Sequence, residues 1–165
     1  MKAVFLFVLL FTIALFGCKK NNPVEHKEGE FVGIVKTDST GVIIKDDPLD
    51  WQPRYNSNNG GSISTADSFC FRPAYPNPTT RKSIIPFAVP QMVRGKIILK
   101  SSPSTTIETI FDDTLPRGIF QLHFDFTANS LTNKNGIYRF YFEFSSLDSG
   151  KILKKSFGDI QLYKP

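Results

Sequence analysis

Two stretches of the chain, 119–126 and 137–144, alternate apolar and polar residues with a period of two. That period confines them to β-strands with one face in a core. In the first, Phe120, Leu122, Phe124 and Phe126 share one face, and Gln121, His123 and Asp125 share the other. In the second, Tyr138, Phe140, Phe142 and Phe144 oppose Arg139, Tyr141 and Glu143. A helix would show apolar residues at a period near 3.6, and that spacing appears nowhere after the N-terminal apolar run. Shorter runs predict further strands at Phe69–Arg72, Lys82–Val89, Arg94–Lys100, Thr106–Phe111 and Ile152–Tyr163, the last interrupted near Gly158. Leu115-Pro116-Arg117-Gly118 and Asn133-Lys134-Asn135-Gly136 supply turn chemistry between them. About seven short strands over residues 68–165 predict an all-β fold, a two-sheet antiparallel β-sandwich. Each inward phenylalanine contributes roughly 1.5–3 kcal/mol to such a core.

Ahead of the strands lie three different segments. Residues 1–17 begin with Lys2, run apolar from Ala3 to Leu15 with Thr12 as the exception, and end on a small residue, Gly17. This is the layout of a secretory signal peptide, and the run is shorter than the roughly 20 residues that span a bilayer. Leu15-Phe16-Gly17-Cys18 resembles the lipobox of bacterial lipoproteins. The resemblance implies cleavage before Cys18, a diacylglycerol on its thiol and acylation of the new amino group, so that the membrane is a partner through this lipid. Lys19 follows where an aspartate would signal retention at the inner membrane, which makes the outer membrane the expected location. Residues 18–30 are polar and read as a flexible tether. Residues 31–67 predict a β-hairpin, Phe31–Lys36 against Gly41–Lys45, followed by a loop segment rich in Asn and Gly. An isolated hairpin is marginal in water, so it is expected to dock on the sandwich.

The charge balance excludes little by itself, with 20 Lys and Arg against 15 Asp and Glu. The basic residues are scattered, however, and a nucleic-acid partner would need a clustered stripe and a recognisable module; none is expected. The chain has two cysteines. With Cys18 lipidated, Cys70 has no partner for an internal disulfide. Its place between Phe69 and Phe71 reads as a buried, inert thiol.

Several motifs over residues 68–165 run in an order that resembles a known family. They are Ala74-Tyr75-Pro76-Asn77-Pro78, Ile84-Ile85-Pro86-Phe87-Ala88-Val89-Pro90, Asp113-Thr114-Leu115-Pro116-Arg117-Gly118, Phe124-Asp125 and Asn135-Gly136-Ile137-Tyr138-Arg139-Phe140. The family comprises flagellar-hook-capping-like immunoglobulin-type domains, similar to the C-terminal sorting domains of the type IX secretion system. The resemblance implies an immunoglobulin-like sandwich. Where family members carry an Asp- and Gly-containing turn between the third and fourth strands, this chain has Ser101-Ser102-Pro103-Ser104-Thr105. Independently of any family, the two prolines around Asn77 remove two main-chain donors, so the segment cannot be a central strand and reads as a stiff connector.

Enzyme signatures are missing: no His-Glu-x-x-His, no paired-cysteine motif, no phosphate loop and no Gly-x-Ser-x-Gly. No cofactor and no metal is expected. Asp46, Asp47 and Asp50 around Pro48 form the densest carboxylate cluster, the type of loop that supplies oxygen ligands to calcium, but a solvated turn is the simpler reading. Trp51, the single tryptophan, and Tyr55 are candidate ligand or clamp aromatics. They either stack on a sugar ring or peptide, or fasten the N-terminal segment to the sandwich; aromatic rings mostly bury themselves. The expected function is that of a non-enzymatic envelope lipoprotein whose sandwich is a structural or protein-interaction module, pairing an envelope protein at a free edge strand. The alternatives are a type IX sorting domain and a carbohydrate-binding accessory module.

Overall fold

The computed structural model describes residues 31, 33–55 and 63–165. The apolar run, Cys18 and the 18–30 segment lie outside the described residues. Among the described residues nine strands follow in chain order: β1 Lys36–Thr37, β2 Ile43–Lys45, β3 Cys70–Phe71, β4 Lys82–Val89, β5 Val93–Ser102, β6 Thr105–Leu115, β7 Gly118–Asp125, β8 Gly136–Ser145 and β9 Ile152–Leu162. There is no helix among the described residues. Strands β3-β4-β7 form one sheet, β6-β5-β8-β9 the other, and β1-β2 a small ribbon. Every strand pair is antiparallel. The fold is all-β, a two-sheet antiparallel sandwich.

The inward faces follow the alternation. Tyr138, Phe140, Phe142 and Phe144 of β8 are all buried; Phe142 and Phe144 meet Phe71 and Phe87 from the opposite sheet, and Tyr138 and Phe140 meet Phe126. Phe71 meets Phe142 edge-on at 5.0 Å between ring centroids, and Phe87 lies 5.5 Å from the same ring. Phe124 sets its ring edge-on to both Phe126 and Phe140, at 4.8 and 5.1 Å. Edge-to-face contacts put the positive rim of one ring on the negative face of another, and each adds roughly 0.5–1.5 kcal/mol beyond burial. Pro86 sits in the middle of β4 without breaking it. Its carbonyl accepts from Arg72 N–H, on the β3 side. Its missing N–H therefore also faces β3, and the β4–β7 ladder does not need it. The turn between β5 and β6 closes on Pro103-Ser104, and the hairpin forms around it.

Three expectations need correction. Strand β9 is continuous through Gly158. Arg139, placed by alternation on the solvent face of β8, is 5% exposed, because other parts of the chain cover that face. The N-terminal hairpin is shorter than predicted, pairing only Lys36–Thr37 with Ile43–Lys45. Its approach, Ile34 and Val35, turns inward instead of pairing, and Val35 joins the main core.

Candidate functional site

The N-terminal segment does not lie beside the sandwich but completes it along the outer edge of β9. An edge strand leaves alternate main-chain groups without a partner. Here they are taken up one after another. The carbonyl of Phe157 accepts from Trp51 N–H at 2.8 Å. Asp159 N–H donates to Asp50 Oδ1 at 2.8 Å. The Asp159 carbonyl accepts from Asn77 Nδ2 at 2.8 Å, and Gln161 N–H donates to Asn77 Oδ1 at 3.0 Å. Thr79 N–H donates to the Gln161 carbonyl and Tyr163 N–H to the Thr79 carbonyl, both at 2.9 Å. Asn77 thus does more than stiffen a connector: its amide also donates to the Val35 carbonyl at 2.8 Å, so one buried side chain joins three segments.

Trp51 sits on the inner side of this seam with no exposed surface. Its indole packs against Phe142 at 6.5 Å and lies over Gly158. A Cβ at Gly158 would stand 2.0 Å from the ring. Gly158 is therefore the seat of the tryptophan, which is why a glycine interrupts the apolar pattern without interrupting the strand. Trp51 holds φ at +62°, a left-handed conformation that costs a non-glycine residue on the order of 1–3 kcal/mol and persists only where its surroundings hold it. Among the described residues its Nε1 has no hydrogen-bond partner.

On the outer side, Arg139 grips Asp159 through two 2.7 Å hydrogen bonds, from Nε and from an Nη. The guanidinium lies between the rings of Phe31 and Phe157, 4.4 and 4.1 Å from their centroids. A bidentate fork between rings is geometry that lysine cannot reproduce. The buried acids are occupied by these partners and by main-chain amides; Asp50 Oδ2 accepts from Val35 N–H at 3.3 Å.

The sequence candidates therefore separate. Asp50 turns into the interior and is buried, whereas Asp46 is exposed and Asp47 partly so. Arg54 pairs with Asp46, donates to the Asp47 carbonyl, and reaches the Asp50 carbonyl at 3.0 Å. No group of three or more His, Cys, Asp or Glu residues suited to a metal occurs among the described residues. Tyr55 lies apart from Trp51. It packs on a small cluster of Ile63, Cys70 and Ala88, and its hydroxyl bonds Ser64. Burial pushes the Cys70 thiol up, away from reactivity. Cys18 lies outside the described residues. Asn77, Arg139, Gly158 and Asp159 were not singled out as site residues from the sequence. The one available signal was Gly158 itself, a glycine inside a strand pattern.

No protein-family model, no curated protein and no solved structure matches this chain.

One consequence is a dependence on pH. Burial, reinforced by the Asp159 charge, raises the Asp50 carboxyl to about 8. The unfolded chain would release that proton near the ordinary value, about 3.9. The folded state thus holds an extra proton between these limits. Its stabilisation is complete below about pH 4 and is lost as pH rises through the folded value. Stability is expected to fall by on the order of 1 kcal/mol per pH unit between pH 5 and 8. Melting temperature measured across that range checks this, with Asp50→Asn flattening the profile. A wild-type melting temperature that rises with pH would mean Asp50 is ionised in the fold.

Proposed function

We propose that this chain is a non-enzymatic lipoprotein of the cell envelope, held to the membrane through Cys18, with its sandwich serving as a structural and protein-interaction module of immunoglobulin-like type. The observation that carries the reading is the interlock of Asp50 and Trp51 with β9. Residues close to the proposed anchor are thereby built into the same core as the last strand. A domain made to be removed as a sorting signal would leave Val35, Asp50 and Trp51 without the surfaces that bury them. The interlock therefore favours a module that stays whole. The sugar-binding alternative has no support from Trp51, since an indole with no exposed surface offers no platform for a ring.

The anchor also sets a reach. Residues 18–30, fully extended at about 3.3–3.6 Å each, let the sandwich stand at most roughly 45 Å from the lipid surface. That suits contact with other envelope proteins. Two acyl chains would hold it there stably.

The test is the intact mass of the protein purified from its native envelope. The expected mature form begins at lipid-modified Cys18 and retains β9, and Cys18→Ser loses the lipid mass and the labelled palmitate. A mature form without the residues after about Ser68 would replace this reading with the sorting one. Palmitate labelling that persists in Cys18→Ser would remove the anchor.

A further inference from the structure

The sandwich has four sheet edges, and they are not treated alike. The β9 edge is bonded by Asp50, Trp51, Asn77 and Thr79. The β3 edge is covered by residues 53–55: Phe71 N–H donates to the Pro53 carbonyl and Tyr55 N–H to the Phe71 carbonyl, both at 2.9 Å. The β6 edge is broken by three shifts of register against β5. Covering, bulges and inward charges are the devices that keep edges from pairing with foreign strands. Strand β7 has none of them. It runs Gly118–Asp125 in unbroken register with β4, with no proline and no lysine.

The orientation of its free groups follows from the ladder. Ile84 exchanges hydrogen bonds with Tyr75, and the Pro86 carbonyl accepts from Arg72, so these residues turn their main-chain groups away from β7. Their partners in register are His123 and Gln121. In an antiparallel ladder such opposed residues form the non-hydrogen-bonded pairs. The N–H and C=O of Ile119, Gln121 and His123 therefore face outward, and no described residue bonds them.

Beside this edge the sandwich is open. A cleft of about 200 Å³ lies between β7 and β6, lined by Phe87, Ile97, Phe111, Leu115, Phe120 and Leu122. An apolar cavity of about 150 Å³ already accepts a small hydrocarbon ring. The lining is apolar apart from Gln121, and the acids stand on β6 beside the cleft, not in its wall. Strand β6 carries Glu108, Asp112 and Asp113 and no lysine or arginine, although the chain as a whole is basic. Asp112 pairs with Arg94 and Lys96. Among the described residues Glu108 and Asp113 take no ion pair, and they stand opposite Leu99 and Gly95, on the inward register of β6.

We propose that the β7 edge is the docking site for an extended strand of another protein, whose cleft-facing residues are apolar at the centre and cationic at both ends. This rests on reading the sandwich as an interaction module. Main-chain bonds to Ile119, Gln121 and His123 add the strand to the β3-β4-β7 sheet, its central side chains enter the cleft, and its cations meet Glu108 and Asp113. A second copy of this chain fits less well. Joining two copies through β7 brings their two β6 strands together, with like charges opposed.

The test uses the full chain in detergent and an end-blocked peptide, Lys-Thr-Val-Thr-Val-Thr-Val-Thr-Lys, with a control in which glutamate replaces both lysines. The lysine peptide is expected to slow hydrogen exchange at the Ile119, Gln121 and His123 amides. The glutamate peptide is expected to bind about tenfold more weakly. Gln121→Pro removes an outward N–H that β4 does not use, so it should abolish protection while leaving the melting temperature nearly unchanged. If that variant unfolds, the pair Glu108→Lys and Asp113→Lys decides: the preference between peptides should invert. Absence of protection at β7, equal affinity for both peptides, or protection that instead follows self-association would each overturn the proposal. A failed peptide with an intact lipid anchor would remove the docking site alone and leave the envelope reading standing.

Discussion

Alanine at position 158 is expected to drive Trp51 out of the core and destabilise the protein by about 5 kcal/mol. An alanine in place of glycine within a strand would ordinarily stabilise slightly, because it lowers the entropy of the unfolded chain. Here the sign reverses. The new methyl would stand 2.0, 2.1 and 2.3 Å from three atoms of the indole, where van der Waals contact begins above 3 Å. The ring is rigid, and its backbone is held by the 2.8 Å bond to the Phe157 carbonyl, so it cannot slide aside. Expulsion forfeits the burial of the largest core side chain, about 3–5 kcal/mol, and loosens the main-chain bonds that Asp50 and Trp51 make to β9. Because Trp51 is the single tryptophan, its fluorescence reports the event directly: emission should shift to the red in Gly158→Ala. Trp51→Ala should cost nearly as much alone. The double variant should cost little more than either, since both remove one contact. Unchanged emission together with an unchanged melting temperature would show that the indole does not rest on Gly158.

The strands were legible because their faces differ in polarity. Lys82–Val89 is read from sequence to the residue, and the alternation around Phe140 and Phe142 identifies the inward face of β8. Periodicity, however, reports only which residues share a face, not what covers that face. Arg139 shares a side with Tyr141 and Glu143, yet Phe31 and Phe157 enclose its guanidinium. Nothing within β8 could disclose a segment more than a hundred residues earlier. Asp50 was obscured for a similar reason. Among Asp46, Asp47 and Pro48 it has the composition of a solvated turn, and its burial depends on two amides, Val35 and Asp159, from distant positions. Gly158 was visible but ambiguous, since a glycine in a strand marks either a break or a close approach. The sequence predicts the first, and the continuous strand with the indole over Gly158 shows the second.

The same seam makes Asn77 the residue whose loss should be felt most widely. Asn77→Ala is expected to destabilise by about 5 kcal/mol, since three buried main-chain groups lose their partner at roughly 1–3 kcal/mol each. Those groups are the Val35 carbonyl, the Asp159 carbonyl and the Gln161 N–H. Water cannot replace the amide cheaply, because Asn77 has no exposed surface. Asp is a sharper substitution than Ala. It keeps an acceptor for Gln161 but turns the donor into a second acceptor facing two carbonyls, so Asn77→Asp should cost at least as much as Ala near neutral pH and recover on acidification, when the carboxyl can donate. The direct bond between the Asn77 and Thr37 main chains, 2.7 Å from Thr37 N–H to the Asn77 carbonyl, survives either change. The segment should therefore detach from β9 before it detaches from the connector. Hydrogen exchange checks that order: the Gln161 amide, which loses its acceptor, should lose protection first, with the Thr37 amide following only at global unfolding. Equal protection at these two amides in Asn77→Ala would mean that this stretch of the β9 edge is held by something other than this side chain.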